Sequence, residues 1–163
     1  LLARDDENAD ERKEVDVAEL VRGVAEALSE TGAKTTFESD GEPMHARIRE
    51  RSLRRAIANL MDNAVKYGAV AHGKVSRSTD AIVITISDEG AGVPPEDLAR
   101  LTEPFYRAEA SRSRMTGGAG LGLTIPKKMV ESSGGTLTIQ NAPTGGLVAE
   151  IRLLASDAAA SAS

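Results

Sequence analysis

Arg54-Arg-Ala-Ile-Ala-Asn59-Leu-Met-Asp-Asn63-Ala-Val-Lys66-Tyr67 decides how this chain folds and what it is built around. With Leu53 before it, the apolar residues Leu53, Ile57, Leu60, Met61, Ala64 and Val65 recur at helical spacing and mark a core-facing side. Asn59, Asn63, Lys66 and Tyr67 stand at i, i+4, i+7 and i+8, which places them within an arc of about 100° on the other side. The spacing predicts a helix over residues 51–67, stopped by Gly68, with one face made of ligand-type side chains.

Around it the chain has the proportions of one ordinary domain. It has 163 residues, 40% hydrophobic and 28% charged, enough to bury a sizeable core. It holds no cysteine, which removes disulfides and thiolate chemistry. No apolar run reaches the ~20 residues that span a bilayer, and no signal peptide is visible. The net charge of −5 argues against a general nucleic-acid binder, so any anion site must be local. A leucine at the first position and an Ala/Ser-rich end read as cuts through a longer protein. We expect residues 1–14 to be a linker and 155–163 a floppy tail.

Elsewhere Asp16 is a suitable N-cap for a helix ending near Gly32. Residues 35–39 and 45–49 alternate and suggest a strand pair around Asp40-Gly41-Glu-Pro43. Residues 74–78 and 81–87 predict a hairpin, the second strand central because it is β-branched. A short helix through Leu98 and Leu101 follows, then an arginine-containing, apolar-poor stretch over 105–119. A helix over 121–133 and strands at 136–140 and 147–153 complete the chain. Helices and strands interleave while neighbouring strands form hairpins, so a mixed sheet with helices on one face is expected.

Three further constellations share a chemistry. Two amide oxygens, an ammonium and a phenol on one face suit a magnesium ion, its phosphates and a flat ring, because Mg²⁺ favours hard oxygens and keeps several waters. Asn63 is the better ligand, with Asn59 one turn behind supporting the water shell. Asp88, after a strand and before Glu-Gly-Ala-Gly-Val, could accept the exocyclic amine of adenine. Gly90 and Gly92 would let backbone approach the base, and Val93 could pack on the ring. Gly118, Gly120 and Gly122 alternate at a helix mouth, where backbone N–H groups turn toward an anion. Their pattern matches neither a dinucleotide fingerprint nor a P-loop. Glu103-Pro-Phe105-Tyr-Arg107 suits a flap pinned by Phe105, with Arg107 able to stabilise a transferring phosphoryl group. His45 and His72 lack an acid–base arrangement and read as ordinary structural or surface residues.

In this order the motifs resemble those of bacterial sensor histidine kinases. Asn59-Leu-Met-Asp-Asn63-Ala-Val-Lys66-Tyr67 is similar to their N box, Asp88-Glu-Gly-Ala-Gly92 to the G1 box, and Glu103-Pro-Phe105-Tyr-Arg107 to the F box. Gly118-Ala-Gly120-Leu121-Gly122-Leu123 is similar to the G2 box, and the likeness covers residues 15–154. The resemblance implies a Bergerat ATP-binding fold: a two-layer α/β sandwich, its mixed and mostly antiparallel sheet packed on about three helices. It implies ATP and Mg²⁺ as cofactors, with Asn63 on the metal assisted by Asn59. Lys66 and Arg107 would touch phosphates, Tyr67, Phe105, Leu121 and Leu123 would line the pocket, and Asp88 would read adenine. Gly118, Gly120 and Gly122 would hinge an ATP lid. Asn59, Lys66 and Arg107 would be the catalytic set. Ala119 stands where threonine is frequent, and Pro126 interrupts the usual start of the next helix.

The family's phosphoacceptor histidine belongs to a separate dimerisation domain, and no such motif occurs in this sequence. The expected partners are therefore ATP, that histidine domain and, indirectly, a response regulator, with no nucleic acid or membrane contact by this piece. The piece itself is expected to be a cytoplasmic monomer, and the intact protein a homodimer anchored in the bacterial inner membrane. Two alternatives stand beside transfer. One is an ATPase of the gyrase, MutL and Hsp90 kind, which places a glutamate base where Asn59 stands. The other is a nucleotide-binding regulatory scaffold.

Overall fold

The computed structural model describes residues 10–41, 44–98, 100–101 and 122–156. In chain order these form β1 (Arg12–Asp16), α1 (Val17–Ser29), β2 (Lys34–Ser39), β3 (His45–Arg49), α2 (Glu50–Gly68), β4 (Val70–Arg77) and β5 (Ala81–Ser87). The short α3 (Pro95–Leu98), then α4 (Thr124–Ser132), β6 (Thr136–Asn141) and β7 (Leu147–Leu154) follow. One five-stranded sheet has the order β2-β4-β5-β7-β6, in which only β2 and β4 run parallel. The expected mixed, mostly antiparallel sheet is thus present, and the β-branched strand β5 is its centre.

The core lies between this sheet and the helices. β5 turns Ile82, Ile84 and Ile86 inward, α2 contributes Leu53, Ile57, Leu60 and Met61, and α1 adds Val17, Leu20 and Val21, all buried. Helical and strand periodicities therefore meet at one apolar seam. Asp16 caps α1 as expected: its Oδ1 accepts the Glu19 N–H at 3.1 Å. Pro126 is the third residue of α4, and the first in-helix bond runs from the Lys127 N–H to the Leu123 carbonyl at 3.2 Å. Proline is tolerated there because the N–H groups of a first turn have no intrahelical partner.

Three expectations are corrected. β2 and β3 are not a hairpin: β2 pairs with β4, while β3 pairs antiparallel with β1 in a separate ribbon. Alternation marks a strand but not its partner, and β1 hides its identity because only Val15 is buried along it. For the same reason Arg12, Lys13 and Glu14, expected in the linker, lie in a strand. At the other end Ala155, expected in the tail, is fully buried and donates its N–H to the Asp80 carbonyl at 3.0 Å; residues 157–163 lie outside the described set.

The ribbon is tied to the start of α2. Lys13 Nζ lies 3.0 Å from Glu50 Oε1, and Arg54 Nη2 lies 3.0 Å from Glu50 Oε2. The hydrogen bond from Lys13, more than any other contact, holds the Glu50 carboxyl below its usual range. The Asp10 carboxylate accepts from the Arg51 N–H at 2.9 Å and from the Ser52 hydroxyl. It thereby supplies the cap that Arg49, at the N-cap, does not.

The far end of α2 differs from expectation in an instructive way. Gly68 is still helical, and the left-handed residue is Ala69, at φ 70°. Gly68 is needed for another reason: a Cβ there would sit 2.4 Å from the Asp88 side chain. Ala69→Gly should raise stability by about 1 kcal/mol, since alanine in the left-handed region is strained by roughly that amount. Urea unfolding checks this, and an unchanged or lower midpoint would refute it.

Candidate nucleotide site

Asp88 follows the last residue of β5 and is gripped by the start of β7. Its Oδ1 accepts the Gly90 N–H at 2.9 Å and the Leu147 N–H at 3.2 Å, and its own N–H donates to the Leu147 carbonyl at 3.2 Å. No hydrogen bond reaches Oδ2 among the described residues, so one oxygen holds the loop while the other remains available as an acceptor. The side chain is half-buried.

The glycines around it serve packing first. A Cβ at Gly90 would lie 2.6 Å from the Tyr67 carbonyl oxygen, and one at Gly92, at φ 76°, would lie 2.4 Å from Asn141 Oδ1. At both positions the absence of a side chain is required by the packing of the protein itself. Asn141, at the end of β6, then clamps the loop. Its Oδ1 accepts the Val93 N–H at 3.0 Å and its Nδ2 donates to the Val93 carbonyl at 2.8 Å. Val93 is buried.

Asn63 comes to the same place from α2. It lines a cleft with Asp88, Leu60, Ala64, Ile86, Leu123, Ile139, Leu147 and Ala149. The cleft measures about 30 Å³, against roughly 300 Å³ or more for a ligand pocket, so these residues make a floor and a wall rather than an enclosure. Asn63 Nδ2 donates to Asn59 Oδ1 at 3.3 Å, which joins the two amides along the exposed face of the helix. Lys66 points along that face and pairs with Asp62 Oδ2 at 3.2 Å. Such a solvent-exposed pair is worth about 1 kcal/mol at most, so it restrains the ammonium little. Tyr67 is half-buried beside Gly90.

The structure thus brings Asn63, Asp88 and Leu123 to one cleft, with Asn59, Lys66 and Tyr67 on the adjoining helix face. Gly122 is in the left-handed region at φ 58° and precedes Leu123 directly. Phe105, Arg107, Gly118, Gly120 and Leu121 lie outside the described residues. Asn141 and Gly146 escaped the sequence analysis. Gly146 carried a turn signal that concealed its contact with Asp88, and Asn141 carried no signal. His72 differs from expectation in having a carboxylate neighbour: its Nδ1 meets Thr36 Oγ1 at 2.7 Å and its Nε2 meets Glu89 Oε2 at 2.8 Å. Among the described residues no group of three or more His, Cys, Asp or Glu could hold a metal. No described helix is long and apolar enough to cross a membrane.

Asn63 of α2 and the glycine-packed Asp88 after β5 thus share one cleft beside a mixed sheet. Residues 48–157 match the family described as histidine kinase-, DNA gyrase B-, and HSP90-like ATPase, and the chain belongs to that family. It is 38% identical over 141 residues to the signal transduction histidine-protein kinase AfsQ2 of Streptomyces coelicolor, covering 86% of this chain and 26% of that one. To the sensor histidine kinase YcbM of Bacillus subtilis it is 35% identical over 123 residues, covering 72% and 39%. It therefore spans well under half the length of either relative. The fold is also that of the ATP binding domain of PrrB from Mycobacterium tuberculosis, with TM-score 0.73 and 24% identity over 90% of this chain and 98% of that one.

Proposed function

We propose that this chain is the ATP-binding catalytic part, over residues 15–154, of a sensor histidine kinase. It takes Mg-ATP and presents the γ-phosphoryl group to a histidine on a separate dimerisation domain, for relay to a response regulator. The observation that carries this is the meeting of Asn63 and Asp88 on one cleft, with Asp88 Oδ2 accepting nothing from the described protein. The exocyclic amine of adenine would donate to that oxygen, and phosphates extending along α2 would reach Asn63, Asn59 and Lys66.

The donor set suits Mg²⁺. Asparagine amides offer hard, neutral oxygens, and the lack of a carboxylate cluster among the described residues suits an ion held mainly by phosphates and water. Asn63 would ligate it and Asn59 would assist. Arg107 would meet the phosphates, Phe105 would pin the flap, and Gly118, Gly120 and Gly122 would hinge a lid with Leu121 and Leu123 against the nucleotide. Asn59 favours transfer over hydrolysis, because an amide cannot take a proton from water at neutral pH. In the same proposal the intact protein is a homodimer anchored in the bacterial inner membrane, with this part monomeric on the cytoplasmic side.

Calorimetric titration with ATP and GTP, each with and without Mg²⁺, tests the site. Saturable, adenine-selective, magnesium-sensitive binding is expected, followed by labelling of an added histidine domain from the same protein. Equal affinity for GTP would overturn the role of Asp88, and hydrolysis without transfer would favour the ATPase alternative. Asn63→Asp should weaken Mg-ATP binding by about tenfold, since it adds a negative charge beside the phosphates. Unchanged affinity would remove Asn63 from the metal shell.

A further inference from the structure

A second cavity opens at the opposite end of the sheet. β7 begins at Leu147, beside Asp88, and ends near Leu153, which lines this cavity; six residues of strand separate the two by about 20 Å. The cavity measures about 500 Å³, within the ordinary range for small-molecule sites of roughly 300–1,000 Å³. Its walls come from the β1–β3 ribbon, the turn between α4 and β6, and the chain leaving β7. It shares no residue with the nucleotide cleft.

The lining is amphipathic. Ile48, Leu153 and Ala155 are buried apolar residues of the wall, and Leu154, 59% exposed, stands at the rim. Arg12 and Arg47 supply the charge, and neither forms an ion pair among the described residues. Arg12 is held in place from one side, its Nε and Nη2 donating to the Ser132 carbonyl at 3.3 and 3.0 Å. That leaves Nη1, which runs against Gly134; a Cβ there would lie 3.3 Å from it. Arg47 donates through Nη2 to the Arg12 carbonyl at 3.2 Å, leaving its Nε and Nη1 without a partner among the described residues.

Glu14 faces Arg47 across the ribbon and lines the same cavity. Two guanidinium groups and one carboxylate leave a surplus of a single positive charge. Ser156, also in the wall, has a buried hydroxyl with no hydrogen-bond partner. That hydroxyl is closed off from solvent, and so from a ligand in the cavity as it stands. We propose that this cavity is a second ligand site, for a small amphiphilic anion with one carboxylate or phosphate head on a short apolar body. The head would lie between Arg12 and Arg47, and the body would cover Leu153 and Leu154.

Backbone amide shifts of the isotope-labelled chain test the proposal, with hexanoate and hexyl phosphate as probes and hexanol and inorganic phosphate as comparators. Saturable shifts are expected at Ile48, Gly134 and Ser156 with either anion, while Gly90 and Val93 stay still; the tighter anion identifies the head. Hexanol and inorganic phosphate should each bind at least about tenfold more weakly, lacking the head or the body. Arg47→Gln should weaken the better anion by about tenfold, and Leu154→Glu, at an exposed position that leaves the core alone, should do the same by repulsion. Hexanol binding as tightly as the anions would reduce the cavity to an apolar crevice and overturn the proposal. So would the absence of shifts with both anions, or undiminished affinity in a folded Leu154→Glu chain.

Discussion

Asp88→Asn is expected to lower ATP affinity by about 10- to 100-fold while leaving the fold nearly as stable as before. The geometry around Oδ1 makes the argument sharp. An asparagine must present its carbonyl oxygen to the N–H groups of Gly90 and Leu147, because both donate to that position. Its amide nitrogen then takes the place of Oδ2 and offers a donor to a base amine that is itself a donor. The opposite orientation would restore the acceptor to the ligand but set an NH₂ against two backbone N–H groups. The conformation that preserves the loop is therefore the one that defeats the base. Calorimetry with ATP, beside a urea midpoint, separates the two effects. Undiminished affinity would show that Oδ2 is not the acceptor, and a collapse of stability would show that Asp88 matters chiefly as a loop anchor.

Gly146→Ala should destabilise the protein by about 3 kcal/mol or more, combining left-handed strain with displaced backbone. Gly146 has φ 86°, and a Cβ there would lie 2.2 Å from the Asp88 carbonyl oxygen and 2.6 Å from Oδ1. The neighbouring Gly145, at φ 107°, would bring its Cβ no closer than 3.5 Å, to the Gly90 carbonyl oxygen. Gly145→Ala should therefore cost only the backbone strain, roughly 1–2 kcal/mol. Urea unfolding of both variants checks the ordering; equal losses would mean that the contact with Asp88 relaxes at little cost.

Much of this molecule was legible because its elements are locally consistent. α2 announces itself by period, β5 by three isoleucines alternating with smaller residues, and α1 by its aspartate cap. What stayed hidden was pairing. β1 is a charged strand whose only inward residue is Val15, so nothing in its composition separates it from a linker, and without β1 the partner of β3 could not be found. At the candidate site, motif order singled out Asn63, Asp88 and Leu123, which the structure brings to one cleft, whereas the packing reason for each glycine left no signal. Gly90 and Gly92 look alike in sequence, yet one avoids the Tyr67 carbonyl and the other avoids Asn141. These contacts join segments 23 and 49 residues apart and leave no periodic trace.

Gly68, Gly90 and Gly146 come from three distant parts of the chain and converge on Asp88. What each would strike is main chain, another glycine or the aspartate itself, and none of these can be made smaller while the acceptor is kept. A larger residue at any one position therefore has no second-site remedy, unlike an overfilled apolar core, where a neighbour can be trimmed. Only at Gly68 is the Asp88 side chain alone the obstacle; at Gly90 and Gly146 the main chain itself would have to move. Change at this knot would come only with backbone rearrangement, whereas the apolar core between sheet and helices can exchange one side chain against another.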